Sequence, residues 1–309
     1  MTARILDGRR ASEEIRREVA AGVRTLREER GITPNLAIVL VGENPASRVY
    51  TRSKSRASAE AGMAGDLIRI PEQASQEELL DLVRRLNDDP AVHGILVQLP
   101  LPPHIDTGAI LEAVDPAKDV DGFHPLNAGR LLSGLDSLLP CTPAGIVELL
   151  RRHEIPLSGR EAVVLGRSNI VGKPVAVLLL REHATVTVCH SRTRDLASVT
   201  SRADLLVCAI GRKAFVRAEH IRPGAVVVDV GINRCESVEE ARDLFGGDPA
   251  RLQEVREKGH TLVGDVHPAE AMAVASWFSP VPGGVGPMTI AMLLRNTLLA
   301  ATRQCAAVA

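Results

Sequence analysis

The strongest constraint on the fold is a repeated alternation between short β-branched apolar runs and amphipathic segments. A short apolar run flanked by helical patterns is typical of a buried strand in a parallel sheet. We expect six such runs to be strands: Asn35–Val41, Val92–Leu99, Ala162–Leu165, Thr185–Cys189, Asp204–Ile210 and Ala225–Val230. Because strands that alternate with helices form βαβ units, the sequence predicts an α/β protein with mostly parallel sheets.

Helical periodicity fills the intervals between these runs. In the first such segment, apolar residues recur about one turn apart, at Ile15, Val19, Val23 and Leu26. Similar periodicity predicts three further helices, over Gln76–Asn87, Pro143–Arg152 and Met288–Arg303.

Two breaks rich in proline and glycine divide the chain, near Leu139–Pro143 and at Pro280–Pro287. A length of 309 residues is typical of about two domains. We expect the final helix to return to the first domain, which would then span residues 1–140 and 285–309, with a second domain over 141–284. The charged, Glu-rich stretch Cys235–His260 is predicted to be a surface insertion with a helix.

Charge and composition exclude several classes of partner. Lys and Arg number 37 against 38 Asp and Glu, which leaves a net charge of −1. Binders of nucleic acids or membrane surfaces carry clustered basic charge, and an aromatic content of 2% offers few rings on which bases could stack. We therefore expect no nucleic-acid or membrane partner.

The N-terminal residues and the cysteines indicate a cytoplasmic protein without metal. The first residues turn acidic and amphipathic too early for a signal peptide, and no apolar run approaches the ~18 residues of a membrane span. The cysteines are odd in number, widely spaced and without a CxxC pair, which indicates neither a disulfide framework nor a zinc site: Cys141, Cys189, Cys208, Cys235 and Cys305.

A turn bracketed by Gly166 and Gly172 joins a predicted strand to a predicted helix. Pro174 stands where a Walker loop needs Ser or Thr, so magnesium-nucleotide hydrolysis is disfavoured. The dinucleotide pattern GxGxxG is also broken, because Ser168 takes the second glycine position. A turn that feeds a helix N-terminus still favours phosphate, since free N–H groups and the helix dipole attract an anion. The alternative is an ordinary strand–helix turn.

The residues after the next strand favour NADP over NAD. An NAD-binding domain places an acidic residue about 20 positions further on, whereas this chain reads Cys189-His190-Ser191-Arg192. Arg167, Ser191 and Arg192 are candidates to hold the extra phosphate of NADP through charge-assisted hydrogen bonds. The turn Gly231-Ile232-Asn233 after a later strand strengthens this interpretation. On the alternative interpretation, the arginines are surface charges.

The chain's single tyrosine, Tyr50, lies four residues before Lys54. Ser47, Tyr50 and Lys54 follow the spacing i, i+3, i+7 and share one side of a helix. A lysine exchanges protons near neutral pH only where burial or nearby cations lower its pKa, and Arg52 and Arg56 are the nearby cations here. The alternative is a solvated basic helix face, the commoner use of such charge runs.

Two further polar residues follow a buried strand and a turn. Gln98 ends an apolar run, and polar groups at the carboxyl ends of parallel strands line the ligand crevice. Asp119 and Asp121 lie in the turn DVDGFHP, where a buried carboxylate can accept two N–H bonds from an amidine-like ring edge. An Asx-turn or helix cap is the alternative for Asp121. The isolated histidines lack ligand spacing and are predicted to be structural: His124, His190 and His267.

Together these motifs resemble the bifunctional methylenetetrahydrofolate dehydrogenase/methenyltetrahydrofolate cyclohydrolase family over nearly the whole chain. Its most specific motifs here are GILVQLPLP and PVPGGVGPMT, and between them KDVDGFHP, PCTPAG, GRSNIVGKP, VVVDVGIN and VGDV follow in family order. The resemblance implies NADP-dependent oxidation of 5,10-methylenetetrahydrofolate and hydrolysis of 5,10-methenyltetrahydrofolate to 10-formyltetrahydrofolate, two steps of one-carbon metabolism. It also implies a homodimer of chains with two α/β domains and a cleft between them, the second domain Rossmann-like.

The resemblance also implies roles for individual residues. Lys54 would be the catalytic lysine, Gln98 would tune it, and Tyr50 would stack on the folate. Asp121 would hold the pterin edge. The implied folate contacts are Ser47, Tyr50, Gln98, Asp121, Pro282, Gly283 and Gly284. The implied NADP contacts are Thr142, Gly166, Arg167, Ser168, Gly172, Ser191 and Ile232.

The sequence departs from the family pattern in three places. Arg56 stands where many members have a lysine, and arginine cannot exchange a proton. Trp277 and Ser279 replace the commoner residues before PVPGG, and the stretch Cys235–His260 is longer than in compact members. Two other functions compete with this interpretation: a shikimate-type NADP dehydrogenase and a catalytically silent NADP-binding module.

Overall fold

In the computed structural model, residues 2–308 are described, apart from the side chains of Ala46, Ala307 and Val308. The chain forms two compact units. One unit comprises Ser12–Cys141 and Ile290–Ala309, and we call it the three-stranded unit after its sheet. The other comprises Met1–Ala11 and Thr142–Thr289, and we call it the six-stranded unit.

Strands and helices alternate through most of the described chain. The strands are β1 Arg4–Ile5, β2 Asn35–Val41, β3 Ala64–Ile70, β4 Gly94–Val97, β5 Glu161–Leu165, β6 Thr185–Cys189, β7 Leu205–Cys208, β8 Val226–Asp229, β9 Asn233–Cys235, β10 Thr261–Val263 and β11 Trp277–Phe278. The helices are α1 Gly8–Arg30, α2 Pro45–Glu60, α3 Gln76–Asp88, α4 Thr107–Ala113, α5 Pro125–Leu132, α6 Cys141–Arg152, α7 Gly172–Arg181, α8 Leu196–Thr200, α9 Val238–Leu244, α10 Pro249–Lys258, α11 Pro268–Val274 and α12 Val285–Val308.

The three-stranded unit contains a parallel sheet in the order β3-β2-β4. The central strand β2 is the apolar run NLAIVLV, and six of its seven residues are buried. Such a continuous apolar run is typical of a strand that is covered on both faces. Strand β3 was not predicted, because this edge strand has no buried residue and no simple alternation.

The six-stranded unit contains a sheet in the order β1-β11-β8-β7-β5-β6, in which all neighbours are parallel. This architecture confirms the predicted α/β class and the Rossmann-like parallel sheet. The N-terminal strand β1 pairs with β11, so the first residues belong to this unit. The domain bounds predicted from the sequence assign these residues to the other domain.

The stretch Cys235–His260 holds two helices, α9 and α10, between the antiparallel strands β9 and β10. We predicted one added helix, and the second begins where Asp248 caps the N-terminus ahead of Pro249. The stretch contributes five residues to a small buried apolar cluster that also includes Ala214 and Val263: Cys235, Ala241, Leu244, Leu252 and Val255.

Helix α12 begins at Val285, three residues earlier than predicted. Pro287 is tolerated because the first turn of a helix leaves its N–H groups unpaired. From residue 2 to residue 308, no helix combines the length and apolar character needed to cross a membrane.

Candidate active and cofactor sites

Lys54 and Gln98 meet at the carboxyl end of the three-stranded sheet. The Lys54 Nζ donates a hydrogen bond of 3.1 Å to the Gln98 Oε1. The Gln98 Nε2 donates to the Leu99 carbonyl at 2.6 Å, so the amide orientation presents its oxygen to the lysine. Lys54 is only 9% exposed although its neighbours on α2 include arginines that face water. The alternative of a solvated lysine is therefore wrong.

The two arginines near Lys54 lie elsewhere on the helix surface. Arg52 is exposed, and the Arg56 side chain is 82% exposed with its Nε 2.7 Å from the Glu60 Oε1. Arg56 was one of the two nearby cations considered as an influence on the lysine, and its charge is paired with Glu60 and faces solvent. Burial, rather than Arg56, distinguishes Lys54 from its neighbours.

The other two members of the predicted helical face differ in exposure. Ser47 is buried, whereas Tyr50 is 39% exposed and therefore presents ring surface to solvent. Partial burial raises the pKa of the Tyr50 hydroxyl, so it remains neutral and able to donate a hydrogen bond.

Asp119 and Asp121 have different roles in the turn between α4 and α5. The Asp119 carboxylate accepts hydrogen bonds from the backbone N–H groups of Gly122, Phe123 and His124 and from the Asn127 side chain. These bonds make Asp119 the structural residue of the turn. The Asp121 carboxylate has no hydrogen-bond partner within the described part of the chain.

The electrostatic environment ties Asp121 to Lys54. Burial raises the pKa of the Asp121 carboxyl, the charge of Lys54 opposes that rise, and Asp119 adds to it. A carboxyl that is desolvated, unpaired and close to a lysine is typical of a ligand-binding position. The structure thus brings Lys54, Gln98 and Asp121 together in one unit.

Asn296 and Cys141 hold the backbone around Asp121 by hydrogen bonds. Asn296 was not predicted from the sequence. The Asn296 Nδ2 on α12 donates to the carbonyls of Val120 and Leu139 at 2.9 and 2.8 Å. The Cys141 thiol donates to the same Val120 carbonyl at 3.1 Å, and burial raises the pKa of this thiol well above its ordinary value. The sequence signal that could have identified Asn296 is an Asn within the largely apolar segment that forms α12.

The glycine turn of the six-stranded unit requires glycine at both of its ends. Gly166 has φ +133°, and a Cβ there would lie 2.2 Å from the Ala209 carbonyl oxygen. A Cβ on Gly172 would lie 2.3 Å from the Gly166 carbonyl oxygen. Between them, the Ser168 Oγ accepts from the N–H groups of Val171 and Gly172 and so holds the start of α7.

A cavity of about 310 Å³ opens beside this turn at the carboxyl ends of β5, β6 and β7. Predicted cofactor residues in its wall are Gly166, Arg167, Ser168 and Ser191. Its remaining wall residues are Leu165, His190, Leu196, Ala209, Ile210, Arg212 and Phe215. Thr142, Gly172, Arg192 and Ile232 are not among the wall residues. The Thr142 hydroxyl instead lies 2.9 Å from the Thr289 hydroxyl, and Ile232 is 51% exposed on the turn after β8.

The segment with Pro282, Gly283 and Gly284 is tightly packed within the six-stranded unit. Gly283 has φ +110°, and a Cβ added to Gly8 would lie 1.7 Å from the Gly284 carbonyl oxygen. From the insertion, the Arg251 guanidinium donates to the Val281 carbonyl at 2.8 Å. The predicted folate contact of these three residues stays a prediction.

The three isolated histidines serve as local caps, in agreement with the structural role predicted for them. The Nδ1 of His124 accepts from the Leu126 N–H at the start of α5, and that of His267 accepts from the Glu270 N–H in α11. The His190 Nδ1 accepts from the Arg192 N–H and so fixes the turn after β6.

Two family profiles match this chain and together cover most of it. Residues 6–121 match the catalytic domain of the tetrahydrofolate dehydrogenase/cyclohydrolase family. Residues 140–305 match the NAD(P)-binding domain of the same family. The matched ranges contain the Lys54–Gln98 pair and the glycine turn, respectively.

Individual relatives match nearly the whole length of this chain. A bifunctional protein FolD of Rhizorhabdus wittichii is 55% identical over 302 residues, which are 98% of this chain and 94% of the relative. The crystal structure of the bifunctional FolD enzyme of Campylobacter jejuni is 45% identical, with a TM-score of 0.88 over 97% of this chain and 99% of that one. The Trypanosoma brucei enzyme, solved with NADP and an inhibitor, is 39% identical, with a TM-score of 0.88 over 98% of each chain. This chain therefore belongs to the tetrahydrofolate dehydrogenase/cyclohydrolase family.

Proposed function

We propose that this chain oxidises 5,10-methylenetetrahydrofolate to 5,10-methenyltetrahydrofolate with NADP and then hydrolyses the product to 10-formyltetrahydrofolate. The observation that carries the proposal is the buried Lys54–Gln98 pair beside Asp121, in a chain whose other unit has a glycine turn and a cavity at the carboxyl edge of a parallel sheet. Lys54, Gln98 and Asp121 are assigned to the folate, and the cavity of the six-stranded unit is assigned to the dinucleotide.

The cavity of the six-stranded unit fits a dinucleotide. The pyrophosphate would lie against the Gly166–Gly172 turn at the N-terminus of α7, where the helix dipole favours an anion. Bound NADP supplies the acceptor for a hydride from the folate methylene carbon. The lone pair of the substrate's own N5 drives hydride loss, so the protein contributes mainly by positioning the reactants.

Arg167 and Ser191 are proposed to select NADP over NAD. Both lie in the cavity wall, at the carboxyl ends of the neighbouring strands β5 and β6. A guanidinium and a hydroxyl can hold the 2′-phosphate through charge-assisted hydrogen bonds. The chain has no acidic residue in the Cys189–Arg192 segment to accept from a ribose hydroxyl instead.

Hydrolysis requires a base and an acid, which the hydride transfer does not need. Lys54 is the proposed base, which takes a proton from the water that attacks the methenyl carbon. A proton then passes to N5 as the bond between N5 and that carbon breaks, which leaves the formyl group on N10 and releases one proton. Gln98 fixes the lysine amine by accepting its hydrogen bond. Asp121 is proposed to accept N–H bonds from the pterin edge, and Tyr50 to stack on the folate. Ser47, Pro282, Gly283 and Gly284 complete the proposed folate contacts.

A homodimer and a cytoplasmic location are also part of the proposal. Support for the location comes from the cysteines, of which four are buried and none forms a disulfide among the described residues. Reduced buried thiols are typical of proteins that work in reducing compartments. The homodimer is supported by the family resemblance alone.

A two-part assay tests the proposed function. Purified protein is given 5,10-methylenetetrahydrofolate and NADP, and NADPH formation is followed by absorbance. In a second assay, hydrolysis of 5,10-methenyltetrahydrofolate is followed without NADP. Turnover in both assays is expected, whereas NADP binding without turnover would favour the silent binding module. The family match leaves the shikimate-type alternative without support.

A further inference from the structure

Two buried carboxylates connect three loops at the carboxyl end of the six-stranded sheet, and the proposed reactions assign them no role. Asp265 is 0% exposed and Asp229 is 1% exposed. They lie in the motifs VGDV and VVVDVGIN, respectively. Burial of two carboxylates side by side is costly unless their oxygens are satisfied by hydrogen bonds.

The Asp265 carboxylate links the loop after β7 to strand β9. Its Oδ2 accepts from the backbone N–H groups of Ile210 and Gly211 at 2.6 and 2.9 Å. Its Oδ1 accepts from the Asn233 side chain at 3.1 Å. Ile210 lies in the wall of the proposed cofactor cavity, so this carboxylate fixes backbone that borders the cavity.

The Asp229 carboxylate holds the next loop and Asp265 itself. Its Oδ1 accepts from the N–H groups of Gly231 and Asp265 at 3.0 and 2.8 Å, and its Oδ2 accepts from that of Val266 at 3.0 Å. The packing is tight, since a Cβ on Gly231 would lie 2.2 Å from the Asp265 Oδ1. Ile232, a proposed cofactor contact, is the next residue along this loop.

The strand order places the two carboxylates on one side of the dinucleotide. In the sheet order β8-β7-β5-β6, the phosphate turn follows β5 and the proposed 2′-phosphate residue Ser191 follows β6. A dinucleotide binds across the carboxyl ends of the strands, with one mononucleotide on each side of the phosphate turn. The adenosine half therefore belongs over β5 and β6, and the nicotinamide half over β7 and β8.

We propose that Asp265, held by Asp229, is a positioning residue for the nicotinamide half of the cofactor. It fixes the loops after β7 and β8, leaves the adenosine subsite to other residues, and makes no contact with the folate. The inference rests on the proposed NADP site. It predicts that loss of Asp265 affects hydride transfer but neither adenosine binding nor hydrolysis.

The test compares Asp265→Asn with the wild-type enzyme. Asparagine keeps the shape of the side chain, but its NH2 group replaces an oxygen that accepts hydrogen bonds. We expect the KM for NADP to rise about tenfold, as for loss of a hydrogen bond to a charged group, and the dehydrogenase kcat to fall. The Kd of 2′,5′-ADP, which probes the adenosine half alone, should stay within about twofold of wild type, as should the cyclohydrolase kcat measured without NADP.

Asp204→Asn is the matched control at the opposite edge of the same sheet. Its carboxylate accepts from the Glu161 N–H at 3.0 Å, at the amino ends of β5 and β7, and this variant should keep the wild-type KM for NADP. The inference is overturned if Asp265→Asn weakens NADP and 2′,5′-ADP equally, lowers both activities in parallel, or changes nothing. Failure of the wild-type enzyme to bind 2′,5′-ADP or reduce NADP would instead refute the proposed cofactor site.

Discussion

The Lys54 Nζ lies 3.1 Å from the Gln98 Oε1, and this hydrogen bond joins helix α2 to the residue that follows strand β4. The glutamine amide is itself oriented by the Leu99 carbonyl. The amine is thereby held in one position, close enough to the Asp121 carboxyl for its charge to oppose the rise that burial causes in the pKa of that group. The proton transfer proposed for this amine is needed in only one of the two proposed reactions.

Lys54→Met should therefore impair the cyclohydrolase much more than the dehydrogenase. Methionine fills a similar volume but cannot accept a proton. General acid–base catalysis contributes about 10²–10⁴-fold, so we expect a loss of at least about 100-fold in the cyclohydrolase kcat and a smaller loss in the dehydrogenase kcat. The check is to measure both activities on one preparation whose circular dichroism matches that of wild type. Equal losses in a folded variant would contradict the assignment of Lys54 to the hydrolysis step.

Arg56→Lys restores the residue found in many family members, and we expect it to change neither activity by more than about twofold. The Arg56 side chain is 82% exposed and paired with Glu60 one turn along α2. A charge that faces water and is already paired has little influence on a buried amine. The measurement is the pH profile of the cyclohydrolase for the two proteins. A displaced profile would show that position 56 influences the catalytic proton transfer after all.

The βαβ architecture was predictable because strands such as Asn35–Val41 are covered on both faces. Their sequences are therefore uninterrupted apolar runs, which are easy to recognise. Strand β3 escaped prediction, since the edge strand Ala64–Ile70 buries none of its residues. Strands β1 and β11 contain two residues each, too few to show any periodicity.

The residues of the site could be predicted from the sequence, but the burial or exposure of each side chain could not. Lys54 and Arg56 are both basic and two positions apart, and only the packing of α2 shows that one is buried and the other is exposed. Asp229 and Asp265 stand 36 positions apart, so their association became visible only when the sheet placed the two loops side by side.

Arg167→Ala should weaken NADP much more than NAD. The proposed guanidinium–phosphate bond is charge-assisted, and its loss corresponds to about 1.5–3 kcal/mol, or about 10- to 150-fold in affinity. The measurement is kcat/KM for each cofactor, with the ratio between them as the readout. Arg181→Ala, an exposed arginine in the last turn of α7, serves as the control and should leave the ratio unchanged. If the ratio survives in Arg167→Ala, Ser191 and Arg192 become the better candidates.

Asp229 makes folding stability depend on pH in a direction opposite to that of most acidic residues. Burial raises the pKa of its carboxyl to about 8, although the N–H groups of Asp265, Val266 and Gly231 oppose the shift and the Asp265 charge adds to it. The unfolded chain should titrate near the ordinary value of about 3.9. Between these values the folded state binds more protons than the unfolded state. The stabilising contribution is therefore complete below about pH 4 and is lost as the pH rises through about 8.

We expect the free energy of unfolding of Asp229→Asn to fall less between about pH 5.5 and 8.5 than that of the wild-type protein, because an amide cannot titrate. Denaturant titrations across this range measure the difference between the two proteins at each pH. Asp265 and the Cys208 thiol face the same buried site and remain in the variant, so the difference between the two proteins reports Asp229 together with its electrostatic coupling to these two groups. Asp204→Asn serves as the control for loss of a carboxylate elsewhere in the sheet. Parallel pH profiles for Asp229→Asn and wild type would show that Asp229 is ionised throughout the range and that its three N–H bonds outweigh the cost of burial.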